Sequence, residues 1–318
     1  MKRSVLISSA LSVVMLATAA CGNGGSSSGA DGKTEITASF YPVAWLAERV
    51  GGANAEVAVL TKPGTEPHDL ELSPRQVAEI TETDLAVYVK GLQPAVDDAV
   101  AQHAADRSLD VSSLVELIPA DEHAHADEHA HEGEGEHAEE AHEHEGEHDP
   151  HLWLDPSRMA AAATGLGERL AEADPAHAAD YRANAQKVAG ELGALDGEFE
   201  DGLARCEQKT IVTSHAAFSY LADRYGLEQV AIAGIDPDSE PSPRRMAELS
   251  DRIKELGVTT VFTETLVSPR LAQTLADGAG VKTAVLDPLE GVKEGSGDDY
   301  LSVQRRNLAA LKDALVCS

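Results

Sequence analysis

The run Thr210-Ile211-Val212-Thr213-Ser214-His215-Ala216-Ala217-Phe218-Ser219-Tyr220-Leu221-Ala222-Asp223-Arg224-Tyr225 decides how the chain is read. Its first four residues are β-branched and favour a strand. From Ala216 the apolar positions recur at helical spacing, which predicts a helix over 216–225. Between the two sits a histidine, at the mouth of the helix. Outward from this run the alternation continues. Strands are expected at 229–233, 259–263 and 282–286, and helices at Pro243–Leu256, 269–276 and 299–315. Strands that alternate with helices form parallel βαβ units.

The first half follows the same plan. Strands are expected at 35–40, 55–60, 85–89 and 109–111, and helices at 42–50, 74–81 and 95–105. Asp155-Pro156-Ser157 is a helix start, with a capping side chain ahead of a proline. Alanine-rich helical sequence runs from there to about residue 204, broken at Asp174-Pro175. The expectation is an α/β protein of two lobes, each with a mainly parallel sheet flanked by helices. The second half of the alanine-rich stretch is expected to be one long helix that joins them.

Composition narrows the function. The 318 residues carry a net charge of −30 and only 4% aromatics. Nucleic acid and anionic lipid would be repelled, and a base-stacking surface is not expected. The charge is concentrated in residues 121–149, which hold 13 acidic side chains, eight of the 13 histidines, and no Lys or Arg. Such a segment buries too little apolar surface to offset its ordering entropy and is read as a disordered loop.

The N-terminus reads as an address. Lys2 and Arg3 precede an apolar run that is short for a membrane span and suits a signal peptide over 1–20. Thr18-Ala19-Ala20-Cys21 resembles a bacterial lipobox, with Cys21 as the lipidated residue and 21–33 as a Gly/Ser-rich tether. Thr18 stands where a bulky apolar residue is usual, so a periplasmic protein is the alternative. Cys206 and Cys317 then remain as an even pair in an exported chain and are expected to form a disulfide. Domain bounds are expected at 34–156 for the first lobe, 157–208 for the connecting helical segment and 209–318 for the second lobe.

Open parallel sheets bind ligands beyond the carboxyl ends of their strands. His68 lies there, in Pro63-Gly64-Thr65-Glu66-Pro67-His68-Asp69, as do His215 and Asp287. His151 stands where ordered sequence restarts, in Asp149-Pro150-His151-Leu152-Trp153-Leu154-Asp155-Pro156. Three imidazoles and a carboxylate suit tetrahedral Zn²⁺, and the absence of sulfur disfavours Cu(I). Other roles are open for several of these groups. Asp287 ahead of Pro288 could form an Asx-turn. Glu66 is expected to cap or to accept from outside the ligand set, and Glu264 to be an outer partner or a cap.

The tract also contains an HExxH match at His144–His148 and an HxxEH match at His125–His129, which arise by chance in so biased a segment. His123, His125, His129, His131, His137, His142, His144 and His148 are read as a loose metal collector, or else as a solvated spacer. There is no Walker loop, and no GxSxG or GxGxxG follows a strand.

Taken together, Gly64-Thr65-Glu66-Pro67-His68-Asp69, the Asp149–Pro156 run, Thr213-Ser214-His215-Ala216-Ala217-Phe218 and Leu286-Asp287-Pro288-Leu289 resemble the zinc/manganese solute-binding lipoproteins of ABC transporters, the ZnuA/TroA-like group. The resemblance covers nearly all of the mature chain. It implies a metal held between two lobes, with His68 and His151 from the first lobe and His215 and Asp287 from the second. In that group a carboxylate in place of the third histidine goes with manganese, so His215 implies zinc.

The implied protein is a monomeric receptor, not an enzyme, anchored by lipid outside the bacterial cell membrane. Its partners would be a membrane permease with a cytoplasmic ATPase and a metallochaperone. The alternatives are a manganese-type receptor, an extracellular metal buffer or adhesin, and, further off, a zinc hydrolase.

Overall fold

The computed structural model describes residues 32–120, 148–293 and 295–318. Cys21 and all the collector histidines except His148 lie outside these residues. In the first half, β1 (Thr34–Ala38), α1 (Tyr41–Gly51), β2 (Ala55–Val59), α2 (Pro74–Glu82), β3 (Leu85–Tyr88), α3 (Pro94–His103) and β4 (Ser108–Asp110) build a parallel sheet ordered β2-β1-β3-β4. Two long helices follow, α4 (Pro156–Ala173) and α5 (Ala178–Leu203). The second half contains β5 (Thr210–Thr213), α6 (Ser219–Tyr225), β6 (Glu228–Ala231), α7 (Pro243–Leu256), β7 (Thr260–Thr263), α8 (Arg270–Ala279), β8 (Lys282–Val285) and α9 (Tyr300–Ala314). Its sheet is again parallel, ordered β6-β5-β7-β8.

Strand alternation sets up the layers. In β3, Leu85 and Val87 point to one core and Ala86 to another; in β5 and β7, Ile211 and Phe262 face opposite to Val212 and Val261. The outer face of the first sheet packs on α2 and α3 through Ile80, Val96 and Val100, and that of the second on α7 and α8 through Leu249, Ile253 and Leu275. The inner faces share a single core with α1, α4, α5 and α9. Helix α5 contributes Tyr181, Ala185, Val188, Leu192, Leu195, Phe199 and Leu203, a continuous buried stripe at three- and four-residue spacing. Each large side chain in it stabilises by about 1.5–3 kcal/mol.

Aromatic pairs close the junction between the sheets. Phe40 meets Trp153 edge-on at 4.7 Å, and Trp45 stacks on Tyr300 at 4.8 Å. Glycine permits the closest helix contact, because a Cβ on Gly167 of α4 would stand 2.5 Å from the Cβ of Ala185 in α5. Cys206 and Cys317 form a disulfide between the end of α5 and the C-terminus.

One helix starts later than the sequence suggests. Helix α6 begins at Ser219 because the Ala216 amide donates to the Gly234 carbonyl at 2.9 Å, outside any helix, and Thr213 Oγ1 bonds the His215 carbonyl at 2.8 Å. His215 is therefore held in a structured bend. Among the described residues, no helix is long and apolar enough to cross a membrane.

Candidate metal centre

The loop after β2 carries His68. Gln93, 1% exposed, donates to Thr61 Oγ1 at 2.9 Å and to the Pro67 carbonyl at 3.1 Å, which fixes the loop beside the histidine. Glu66 Oε1 accepts from the His68 amide at 3.0 Å. His151 precedes a 3-10 turn at Leu152–Leu154, followed by α4, whose first amides are capped by Asp155. His215 follows β5.

The imidazoles of His68, His151 and His215 meet the carboxylate of Glu290, with one donor atom from each within 4.8 Å of all the others. Glu290 Oε1 lies 3.4 Å from His68 Nε2, 3.5 Å from His151 Nε2 and 3.2 Å from His215 Nε2. His151 Nε2 and His68 Nε2 are 3.3 Å apart. Donors on a tetrahedron with metal bonds of 2.0–2.1 Å are about 3.3–3.4 Å from one another. The three Glu290–imidazole distances and the His68–His151 distance therefore match the spacing of a tetrahedral cation site.

The far side of two rings is already committed. His151 Nδ1 faces Asp149 Oδ1 at 2.7 Å, and His215 Nδ1 faces Glu264 Oε1 at 2.7 Å. A carboxylate on Nδ1 keeps the proton there and leaves Nε2 to point inward with its lone pair. His215 Nε2 and Glu290 Oε2 are buried without a hydrogen-bond partner, as expected of atoms aimed at a ligand.

Electrostatics follow from burial and this clustering. Burial opposes charge on His215, but the Glu264 carboxylate and then Glu290 outweigh it and hold its pKa well above the ordinary imidazole value. His151 is raised in the same way, with Asp149 outweighing burial. Burial lowers His68. Burial also works against ionised Glu290, yet the three imidazoles bring it well below the usual carboxylate range. Burial, and then the Glu290 charge, push Glu66 up to about 8.

The expected fourth ligand requires correction. The Asp287 carboxylate lies outside the cluster and makes an Asx-turn instead. Its Oδ1 accepts from the Leu289 amide at 2.8 Å, and its Oδ2 from Thr265 Oγ1 at 3.0 Å. Leu289 adopts φ 60°, a left-handed conformation that costs a non-glycine residue about 1–2 kcal/mol. That turn directs the next residue, Glu290, into the site. The available signal was a second carboxylate three residues beyond Asp287 in the same strand-end loop. Glu66 and Glu264 stand outside the set of four and bond the backbone amides of His68 and His215, respectively. His148, exposed, pairs with Pro119 in an isolated antiparallel bridge and is not one of the four.

Known proteins carry the same architecture. Over 291 residues the chain is 36% identical to the zinc-binding protein AdcA of Streptococcus pyogenes, covering 89% of this chain and 56% of AdcA, so it spans little more than half of that relative. It is 34% identical over 317 residues to the high-affinity zinc uptake system protein ZnuA of Bacillus subtilis, covering 96% of each. Among solved structures, the Zn(II)-bound ZnuA-like domain of Streptococcus pneumoniae AdcA superposes with a TM-score of 0.73 at 35% identity, over 89% of this chain and 99% of that one. The laminin-binding protein Lmb of Streptococcus agalactiae, described as a bifunctional adhesin and metal transporter, gives 0.75 at 31% identity, over 89% and 99%. The family model "Zinc-uptake complex component A periplasmic" matches residues 36–314, and the chain belongs to that family.

Proposed function

We propose that the chain is an extracytoplasmic receptor that captures Zn²⁺ and delivers it to an ABC importer, a membrane permease driven by a cytoplasmic ATPase. The carrying observation is the set of four inward donors, with the three imidazole Nε2 atoms at 3.2–3.5 Å from Glu290 Oε1. His68, His151, His215 and Glu290 hold the ion. Asp149 and Glu264 set the tautomer of His151 and His215. Four protein donors complete a tetrahedron, so no position is left for a reacting water, and the site binds without catalysing. Mn²⁺ favours oxygen-rich, higher coordination and fits this donor set less well.

Lipidation at Cys21 would hold the receptor at the outer face of the membrane. The histidines of residues 121–148 would raise the local zinc concentration through many weak contacts. A metallochaperone would load the receptor outside the membrane. Release requires the donors to part. Because the inner core is continuous from sheet to sheet, movement of the strand-end loops is an easier route than rotation of whole lobes.

The test is competitive titration of the purified chain with Zn²⁺ and Mn²⁺. One tight zinc site is expected, weakened at least about 100-fold by His215→Ala and far weaker for manganese. Unchanged zinc affinity in that variant would overturn the reading.

A further inference from the structure

We propose that Asn307 and Trp153 are positioning residues that hold the turn at 287–290 in the conformation that delivers Glu290 to the metal. This rests on the reading of Glu290 as a ligand.

The turn lies beyond the sheet. Strand β8 ends at Val285, and its last sheet-like bond is from the Leu286 amide to the Thr263 carbonyl at 3.0 Å. From Asp287 onward no neighbouring strand supplies partners, and side chains from other elements take their place. Asn307 on α9, 2% exposed, grips a single residue with both ends of its amide. Its Oδ1 accepts from the Asp287 amide at 2.9 Å, and its Nδ2 donates to the Asp287 carbonyl at 2.7 Å. Trp153, between the first sheet and α4, donates its Nε1 proton to the Pro288 carbonyl at 2.7 Å. The Leu289 amide goes to the Asp287 carboxylate.

Such a turn does not persist unaided. Leu289 is fully buried at φ 60°, a region that L side chains rarely adopt and that holds only where the surroundings over-determine it. Glu290, the next residue, is 1% exposed and brings one oxygen to within 3.5 Å of three imidazoles. Without the Asn307 and Trp153 bonds, Leu289 would return to an ordinary backbone region and carry Glu290 away from the imidazoles. Glu66, Asp149 and Glu264 still bond the three histidines, and a phenylalanine ring at 153 keeps the packing that Trp153 makes on His151, with ring centroids 5.1 Å apart. Asn307 is thus coupled to one ligand of four. It reaches that ligand from α9, and Trp153 reaches it from the 3-10 turn that precedes α4.

The experiment is a double-mutant cycle on the full chain, read by zinc affinity and by the visible spectrum of the Co²⁺-loaded protein. Asn307→Ala and Trp153→Phe should each weaken Zn²⁺ binding about 10- to 100-fold. Their Co²⁺ spectra should shift toward that of Glu290→Ala. In a Glu290→Ala background either substitution should add less than about threefold, because the ligand they position is gone. An equal loss with and without Glu290, or a wild-type Co²⁺ spectrum, would show a merely structural role and overturn the proposal. Wild-type zinc affinity in Glu290→Ala itself would overturn the ligand reading first, and this proposal with it. If Asn307→Ala does not fold, Trp153→Phe, which keeps an aromatic ring and removes the N–H, decides the question alone.

Discussion

Glu264 Oε1 receives both the amide of His215, at 3.2 Å, and its ring Nδ1, at 2.7 Å. One buried carboxylate therefore fixes both the backbone and the ring of that histidine. Glu264→Ala should lower zinc affinity about 10- to 100-fold through loss of ring orientation and basicity. Glu264→Gln, which still accepts from both groups, should lose less. Chelator competition measures both, and equal losses would show that charge alone matters.

The same cluster makes the metal-free protein sensitive to pH, and the direction can be worked out. His215 and His151 are raised, so their contribution to stability is complete below about pH 6.5 and is lost as pH rises through their raised values. Glu66, raised to about 8, also favours acid, its contribution being complete below about pH 4.3 and lost as pH rises toward 8. Glu290 is lowered, so its contribution is present above about pH 4.3 and is lost as pH falls through its lowered value. His68 is lowered, so its contribution is complete above about pH 6.5 and is lost as pH falls through its lowered value. Two raised imidazoles and Glu66 outnumber it, so the contribution of the cluster to metal-free stability should fall as pH rises above about 6.5 and, through Glu290, fall again in acid below about pH 4.3. Zinc requires neutral imidazoles and competes with protons for them. The gap in urea midpoint between zinc-loaded and chelator-treated protein should widen from about pH 5 to pH 8. A gap independent of pH would contradict the imidazole ligation.

The alternation of strands and helices was legible because period-2 and period-3.6 patterns are local. That His68, His151 and His215 would come together was legible, because they stand at the carboxyl ends of parallel strands and where ordered sequence restarts. Glu290 was not. Its placement depends on a left-handed Leu289, which no local propensity announces, and on Asn307 and Trp153, which are remote in sequence. Asp287 at the strand end drew attention as a ligand, while its actual bonds are those of the Asx-turn that aspartate before proline also permits. The late start of α6 has a similar origin, because the Ala216 amide is taken by Gly234, from the loop beyond β6. In each case a long-range hydrogen bond overrides a local pattern.

Removal of residues 121–147 should leave the tight site intact. Both ends of the excised stretch are already held together. Pro119 pairs with His148, the Asp149 amide donates to the Ile118 carbonyl at 2.9 Å, and Tyr220 Oη accepts from the Ile118 amide and donates to the Asp149 carbonyl. A short Gly/Ser linker suffices to join such neighbours. Calorimetry on the deletion variant should show one strong zinc site, with the weak sites gone. Loss of the strong site as well would place a ligand inside the deleted segment.

The disulfide offers a separation of stability from binding. Cys206 stands just before β5, at the amino end of the second sheet, whereas His215 and Glu290 lie beyond the carboxyl ends of β5 and β8. The bond spans 111 residues, which encompass that whole sheet. In the chain-entropy model a loop of this size is worth up to about 4–5 kcal/mol. Cys206→Ser with Cys317→Ser should therefore lower the thermal midpoint of the metal-free protein by several degrees or more. Zinc affinity at 25 °C should stay within about threefold, because the strands and α9, not the bridge, position the donors. A fall in affinity that matches the loss of stability would instead mean that the amino end of the sheet controls the geometry of its carboxyl end, and that the two ends of the second sheet behave as one unit.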